Sequence, residues 1–275
     1  MNKKPQTGKK KESRYNIRVL DRAFRVFSLL ADGKARTLNE ISEAISLSPS
    51  TTFRLLTTMA SHNYVKRDDI KNQYQLGLSC LYLARAYQDS NDIRKTALPE
   101  LETLRDETKE TVHLAIFDTM EVVYLEKLPG LHAMGIMSSR VGGRSPAHCT
   151  GLGKVFLAYL PPDEVSSYFA EKGLHRYTET TITDLTELLI HLTTIRNQGY
   201  AFDKGEHEFE VRCVAVPIFD ISEQVVSALS ISGSSIRLDP LEENQDIIRK
   251  ACKTASNISR QLGYTGKNKP STKQG

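Results

Sequence analysis

Two serines on one predicted strand have the spacing of a binding site. Ser230 and Ser232 lie two positions apart in the largely apolar run 225–232. Side chains two positions apart on a strand point to the same face of the sheet. Buried hydroxyl groups need hydrogen-bond partners. The pair therefore predicts either a set of internal hydrogen bonds or contact with a polar ligand.

A glycine turn before a predicted helix is a second polar feature. Residues 151–154, Gly-Leu-Gly-Lys, precede the apolar segment 155–160. They do not form a nucleotide-binding phosphate loop, because His148 occupies a position that requires glycine and Val155 replaces the Ser or Thr that binds Mg²⁺. Two glycines at the start of a helix still leave N–H groups that can hold a small carboxylate. A tight turn without a ligand explains the glycines equally well.

Thiol and metal chemistry have little support. Cys213 begins the apolar run 213–219, where a thiol is more often part of the core than a nucleophile. Three histidines are available as its base: His113, His148 and His207. The adjacent His148 and Cys149 do not by themselves make a tetrahedral metal site. The sequence therefore predicts no catalytic residue, no metal ion and no cofactor, and it predicts a solvated loop at 206–210.

The strongest motif is the predicted helix in segment 47–60. Ser48 suits its N-cap and Pro49 its first position. Helical spacing turns Phe53 and Leu56 toward a core, together with Met59 and Ala60. Short hydroxyl groups and one guanidinium remain for contact with base edges in a DNA major groove. The residues predicted to contact DNA from this helix are Ser50, Thr51, Thr52 and Arg54.

The neighbouring segments fit the same interpretation. Thr37 and Glu40 have the spacing of a capping box at the start of a short amphipathic helix. Two short strands, 64–67 and 73–76, follow the second helix and are joined by a polar turn. Helix, turn, helix and hairpin within about forty residues predict a winged helix-turn-helix. The hairpin carries three residues predicted to contact phosphate: Lys66, Arg67 and Lys71.

Charge is distributed unevenly along the chain. Residues 1–90 carry 16 Lys and Arg against 8 Asp and Glu, whereas residues 91–275 carry 21 against 25. Positive charge near the predicted DNA-binding motif suits phosphate contacts. A solvated basic tail explains part of the excess, since five of the first eleven residues are Lys.

Composition indicates a soluble protein. The hydrophobic fraction is 39%, and no apolar run approaches the length needed to cross a bilayer. The four cysteines are scattered without a Cys-x-x-Cys pair and are expected to be reduced thiols. We therefore expect a cytoplasmic protein without a membrane partner.

The order of predicted elements indicates an α+β protein of two domains. Beyond residue 108 three short strands, 112–117, 121–126 and 133–137, are predicted as an antiparallel meander, and helices and three further strands follow. The helix from Asp92 is predicted to break near Pro99. The predicted segments are a disordered basic tail (1–14), a winged helix-turn-helix (15–77), a linker helix (78–91), an α/β domain (92–264) and a disordered tail (265–275). The linker is apolar almost all round, which predicts packing on a partner chain.

The chain resembles the IclR-type bacterial transcriptional regulators over roughly residues 16–264. The resemblance rests on six stretches in order, namely the capped helix at Thr37, residues 50–56, 110–114, 151–154, 199–203 and 213–220. It implies a winged helix-turn-helix, a linker helix used in dimerisation, and a GAF-like domain that binds a small organic acid. Members assemble as dimers or tetramers and act mostly as repressors.

The resemblance also implies a ligand set. In members that bind small keto acids, the acid is held by an Asp, a Cys ten residues later, two Ser further on and backbone N–H groups of the glycine turn. The matching residues here are Gly151, Leu152, Asp203, Cys213, Ser230 and Ser232. Leu152 replaces the small residue common in glyoxylate and pyruvate binders, which argues against those two acids. Pro49 stands where some relatives carry Arg, so the base preference does not transfer.

We therefore expect a ligand-responsive DNA-binding regulator that is a homo-oligomer, binds a palindromic operator, represses a catabolic operon and responds to a keto, hydroxy or sugar acid. One alternative is an enzyme that converts a small acid and carries an N-terminal partner-binding domain. Another is an architectural DNA-binding protein that ignores metabolites. Turnover of an acid distinguishes the first from a regulator, and ligand-dependent DNA affinity distinguishes the second.

Overall fold

The computed structural model describes residues 17–90, 92–132 and 137–266. Contacts divide the chain into two units, one on each side of the boundary between Ser90 and Asn91. The predicted tail 1–14, positions 133–136 of a predicted strand, and most of the predicted tail 265–275 lie outside the described residues. No helix in the described residues is both long enough and apolar enough to cross a membrane.

The first unit contains four helices and a small sheet among its described residues. In order these are α1 (Arg18–Leu30), β1 (Arg36–Thr37), α2 (Leu38–Ala44), α3 (Pro49–Ser61), β2 (Val65–Asp68), β3 (Gln73–Leu76) and α4 (Leu78–Ser90). The sheet has the order β1-β3-β2 and is antiparallel. The predicted helices and hairpin are confirmed. Strand β1 was not predicted, because a strand of two residues leaves no periodic pattern in the sequence.

Capping explains where α2 and α3 begin. The Thr37 hydroxyl accepts the N–H of Glu40 at 3.4 Å, and the Thr37 N–H donates to the Glu40 carboxylate at 2.7 Å. The predicted capping box is therefore confirmed. Ser48 accepts the N–H of Thr51 at 3.4 Å, and Pro49 follows at the first helical position.

The apolar spacing of Leu20, Ala23, Phe24, Phe27 and Leu30 predicts the buried face of α1, and the structure confirms it only in part. Val26 and Leu30 are buried, together with partly buried neighbours such as Phe27, whereas Leu20 and Phe24 are exposed. Apolar residues occupy two adjacent stripes of this helix, so periodicity alone did not identify the one that faces the core.

The second unit is an antiparallel sheet with helices on both faces. Its elements are α5 (Asp92–Thr108), β4 (Thr111–Asp118), β5 (Glu121–Leu128), β6 (Arg144–Pro146), α6 (Gly151–Tyr159), α7 (Pro162–Lys172), α8 (Leu185–Gln198), β7 (Ala201–Asp203), β8 (Val211–Phe219), β9 (Val225–Ser234), α9 (Ser235–Leu238), a 3₁₀ turn (Leu241–Glu243) and α10 (Gln245–Gln261). The α+β class is confirmed.

The sheet has the order β6-β5-β4-β9-β8-β7. Two three-stranded meanders are joined through the pairing of β4 with β9. The antiparallel pairing predicted for 112–117 and 121–126 is confirmed by β4 and β5, whereas the third strand of that meander is β6, later in the chain than the predicted 133–137. Alternate residues of β8 face two different cores. Cys213 and Ala215 pack with α6, α7 and α8, whereas Val214 and Val216 pack with α5 and α10.

Two helix boundaries differ from expectation. Helix α5 runs through Pro99 without a break. The amphipathic pattern of 241–262 predicts one helix, but the structure divides this segment into the 3₁₀ turn and α10, because Asn244 caps α10 by accepting the N–H of Ile247 at 3.3 Å.

Candidate functional site

The exposed face of α3 carries a mixture of polar and aromatic side chains. Ser50 and Arg54 are exposed, and Thr51 is partly exposed. Phe53 was expected in the core but is 44% exposed beside Arg54. The face therefore presents hydroxyl groups, a guanidinium and one aromatic ring, and Phe53 is an addition to the set predicted from the sequence.

The prediction that Thr52 contacts DNA is wrong. The Thr52 side chain is 0% exposed and lies in the stripe of α3 that also buries Leu56 and Met59. Its hydroxyl has no hydrogen-bond partner within the described part of the chain. Position 52, rather than the predicted position 53, faces the core together with Leu56. Helical periodicity allows either residue, because both i to i+4 and i to i+3 spacings place two side chains on one face.

The hairpin presents its three basic residues differently. All three are exposed, but only Arg67 is engaged by other side chains of the described hairpin through an ion pair and a hydrogen bond. Arg67 is held within the hairpin, where its guanidinium lies 3.1 Å from the Asp69 carboxylate and donates to Asn72 at 3.0 Å. The two lysines are therefore better placed than Arg67 to meet a phosphate.

All six residues implied by the resemblance line one cavity in the second unit. Gly151 and Leu152 begin α6, Asp203 ends β7, and the other three lie on β8 and β9. Among the residues that line this cavity, which we call the candidate ligand pocket, those six are Gly151, Leu152, Asp203, Cys213, Ser230 and Ser232. The cavity has a volume of ≈ 40 Å³, which is room for a few water-sized groups.

The start of α6 supplies donors to the pocket. Thr150 caps the helix by accepting the N–H of Gly153 at 3.2 Å. The N–H groups of Gly151 and Leu152 have no carbonyl partner within the helix, because they belong to its first turn. A side chain at Gly153 would meet the backbone of Ala147 at 2.3 Å, so this glycine is required for the close approach of the turn.

His113 links the serines and was missed as a pocket residue. Its Nδ1 lies 3.3 Å from the Ser230 hydroxyl and 3.5 Å from that of Ser232, and its Nε2 lies 2.9 Å from that of Ser139. Burial, helped by the charge of Lys127, lowers the pKa of His113 to about 3. The ring is neutral at physiological pH and connects three hydroxyl groups. Only the pairing of β4 with β9 brings it there.

Asp203 presents a carboxyl group to the same pocket. Its Oδ1 accepts the N–H groups of Gly205 at 3.0 Å and Glu206 at 2.7 Å. Burial, reinforced by the charge of Glu206, raises the pKa of Asp203 to about 7, although Lys154 and the two N–H groups oppose the shift. Asp203 can therefore hold a proton at a pH where an ordinary aspartate is fully ionised.

Behind Asp203 lies a buried ion pair that was missed in the sequence. The Lys154 ammonium, 0% exposed, contacts Oε1 of Glu206, whose Oε2 has no partner among the described residues. Burial raises the pKa of Glu206. Thr181 donates to the Glu206 carbonyl at 2.6 Å. The prediction of a solvated loop at 206–210 is therefore wrong for its first residue, Glu206, which is buried.

The thiol chemistry considered above finds no support in the pocket. Burial, with the charge of Asp203, raises the pKa of Cys213 to about 12, so the group is a neutral thiol rather than a nucleophilic thiolate. His148 contacts the His175 carbonyl at 2.9 Å through Nε2. No group of three metal-ligating residues exists among the described residues.

Profiles of two families match the chain. The profile of the IclR helix-turn-helix domain matches residues 19–69, and that of the bacterial transcriptional regulator IclR C-terminal domain matches residues 85–260.

Individual proteins match over most of their length. The regulator KdgR of Escherichia coli is 35% identical over 244 residues, which are 88% of this chain and 92% of KdgR. The transcriptional repressor IclR of the same organism is 32% identical over 91% of each chain. A crystal structure of an IclR homologue from Microbacterium hydrocarbonoxydans complexed with 4-hydroxybenzoate is 27% identical, covers 90% of this chain and all of that chain, and has a TM-score of 0.77.

Proposed function

The chain belongs to the IclR family of bacterial transcriptional regulators, and from this membership we propose that it represses transcription of a catabolic operon in response to a small organic acid. The alternative of an acid-converting enzyme is wrong, since the family and the matched relatives are regulators. The observation that carries the proposal is the convergence of all six predicted ligand residues on one cavity.

We propose that α3 reads the operator. Arg54, Ser50 and Thr51 approach base edges, and Phe53 contacts a thymine methyl group, as aromatic side chains do in the major groove. Lys66 and Lys71 bind phosphate and set the position of α3. The exposure of these side chains supports their assignment, and Arg67 acts mainly by holding the hairpin.

Self-association is proposed through α4. This helix exposes a series of large apolar side chains, of which Leu81 is 68% and Tyr82 is 76% exposed. Exposed apolar surface of this kind marks an interaction site. A symmetric dimer covers the same surface on both copies, and it presents two α3 helices to half-sites about one DNA turn apart.

Replacing Leu81 and Tyr82 by Lys is expected to weaken this association by about 2 kcal/mol or more, because like charges would meet in a desolvated contact. Sedimentation equilibrium over a concentration series measures the change. Gln75→Lys, which adds a Lys at an exposed polar position of the same unit, is the matched control and is expected to leave the association constant unchanged. An unchanged association constant in the double variant would remove α4 from the interface.

The pocket is proposed to hold the carboxylate of the effector against the first turn of α6, with Ser230 and Ser232 as additional donors. Replacing both serines by Ala is expected to weaken acid binding by about 3 kcal/mol, because each hydrogen bond to a charged group contributes about 1.5–3 kcal/mol. DNA affinity without acid is expected to stay the same.

The control for the serine variant lies on the same strand. Ser227 is buried and donates to the Ala115 carbonyl at 2.7 Å but does not line the pocket. Ser227→Ala tests whether loss of any buried hydroxyl on β9 has the same effect. Titration calorimetry and acid-dependent DNA binding are measured on both variants, and equal losses in both would show that the pocket assignment is wrong.

A further inference from the structure

The candidate ligand pocket has an unusual charge for a site that receives an anion. Its described lining contains no Lys or Arg, but it contains the carboxyl groups of Asp203 and Glu208. Two ammonium groups lie nearby: that of Lys154 is already paired with Glu206, and that of Lys127 donates to the carbonyl of Ser139 at 2.6 Å. Under the proposed function, an organic acid would bring one more negative charge beside Asp203.

The surroundings of Asp203 do not neutralise it. Its Oδ1 is held by two backbone N–H groups, whereas its Oδ2 accepts no hydrogen bond from the described residues. Asp203 is only 5% exposed. Ionisable side chains surround Asp203 on several elements. Strands β4, β5 and β8, helix α6 with the segment before it, and the loop that follows β7 contribute them. They are His113, Tyr124, Cys149, Lys154, Glu206, His207, Glu208 and Cys213. β9 contributes only hydroxyl groups to the lining.

Most of these groups hold a fixed protonation state between pH 7 and 9. Burial raises the pKa values of Tyr124 and Cys213 to about 12, so both keep their protons. Burial lowers the pKa of His113 to about 3 and also lowers the pKa of His207, so both rings are neutral. A proton that accompanies a ligand in this range must therefore go to a carboxyl group.

Two carboxylates in contact repel each other unless one of them is protonated. A neutral carboxyl group is instead a hydrogen-bond donor. We propose that the pocket binds the monoanion of a carboxylic acid together with one proton from solvent, and that this proton resides on Asp203, whose O–H donates a hydrogen bond to the ligand. The ligand carboxylate then lies between this donor and the first turn of α6, and Glu208, the other carboxyl group of the lining, disfavours a second negative charge on the ligand.

The ionisation of the free protein supports this proposal. Asp203, with its pKa raised to about 7 by burial, is the carboxyl group that protonates near neutral pH while Glu206 remains paired with Lys154. Only the protonated fraction binds the acid, so apparent affinity falls as the pH rises through the pKa. This fraction decreases from about one half at pH 7 to about one hundredth at pH 9, so the apparent Kd is expected to rise about 50-fold.

The direct test is titration calorimetry on the full-length protein with pyruvate, D-gluconate and 4-hydroxybenzoate. Measurements at pH 8 in buffers of different ionisation enthalpy give the number of protons taken up. We expect a value near one for each acid that binds, and a Kd that increases about 50-fold between pH 7 and pH 9. Succinate and malate are the dianionic comparisons and are expected to bind at least tenfold more weakly.

Two variants isolate the carboxyl group. Asp203→Asn keeps the oxygen that accepts the N–H groups of Gly205 and Glu206 and supplies a permanent donor, so binding is expected to persist and to become independent of pH with no proton uptake. Glu208→Gln alters the other carboxyl group of the lining and is expected to keep the pH dependence. The buffer measurement on the unaltered protein remains decisive if Asp203→Asn does not fold.

The inference rests on the proposed function, and the two fail differently. Acid binding without proton uptake, or with the same Kd at pH 7 and pH 9, overturns the proton on Asp203 and leaves the ligand-responsive regulator intact. Equal affinity for succinate overturns the restriction to monoanions. Absence of binding for every acid at every pH overturns the inference together with the effector part of the proposed function, while DNA binding is unaffected.

Discussion

Replacing Lys154 by Met is expected to lower the free energy of unfolding by about 3–5 kcal/mol, because it leaves a buried carboxylate without its partner. Lys154 is the largest fully buried side chain among the described residues, and Glu206 is almost as deeply buried. A loss of this size is a large share of the stability of a typical domain.

The loss should depend on pH in a defined direction. Burial raises the pKa of Glu206 in the folded protein, and removal of Lys154 takes away an interaction that lowers it. A carboxyl group whose pKa is higher in the folded protein than in the unfolded chain destabilises the fold at pH values above its unfolded pKa. This penalty shrinks as the pH falls. Denaturant unfolding of the variant is therefore expected to show a larger loss at pH 8 than at pH 5.

Two controls separate the ion pair from the loss of a lysine. The double variant Lys154→Met/Glu206→Leu replaces both charges by apolar groups and is expected to recover most of the stability. Lys172→Met removes an exposed partner of Glu171 and is expected to change stability by less than about 1 kcal/mol. If the double variant is as unstable as the single one, the pairing does not explain the effect.

Replacing Arg54 by Ala is expected to weaken operator binding by about 1–3 kcal/mol, which is about 5- to 150-fold, and to relax the preference at one base position. Arg54 is exposed on α3, and the described residues provide its guanidinium with no hydrogen bond or ion pair. Its guanidinium can therefore form two hydrogen bonds to a guanine edge. Binding to operators with single base changes measures the preference.

Lys71→Ala is the matched comparison for Arg54→Ala. A lysine that binds phosphate carries no sequence information, so its loss should weaken all DNA sequences alike and reduce the salt dependence of binding by about one counterion. An Arg54→Ala variant that behaves in the same way would assign Arg54 to the backbone rather than to a base.

Local signals in the sequence predicted the first unit well. The capping pair Thr37 and Glu40 and the Ser48-Pro49 start act within a few residues of each other, so their geometry follows from spacing. The phase of α3 was less certain, because Thr52 and Phe53 are both compatible with Leu56 on the buried face. Packing against α1 and α2 decides between them, and packing is not a local property.

The pocket was only partly predictable. Its six expected residues followed from resemblance to a family, and the structure brings them together. His113 reaches Ser230 across 117 positions of sequence, and Lys154 reaches Glu206 across 52. Such contacts depend on strand order, which periodicity does not reveal. Glu206 lies in a charged run that is typical of a solvated surface, and its burial became visible only with the fold.

The most direct test of a ligand-responsive regulator is fluorescence anisotropy of the full-length protein on the DNA upstream of its own coding sequence. Scrambled DNA is the comparison, and both are titrated over a salt series with and without keto, hydroxy and sugar acids. We predict tighter binding to the upstream DNA and at least a tenfold change in that affinity with one of the acids. Equal affinity for both DNAs, unchanged by every acid, would contradict the account and favour an architectural DNA-binding protein.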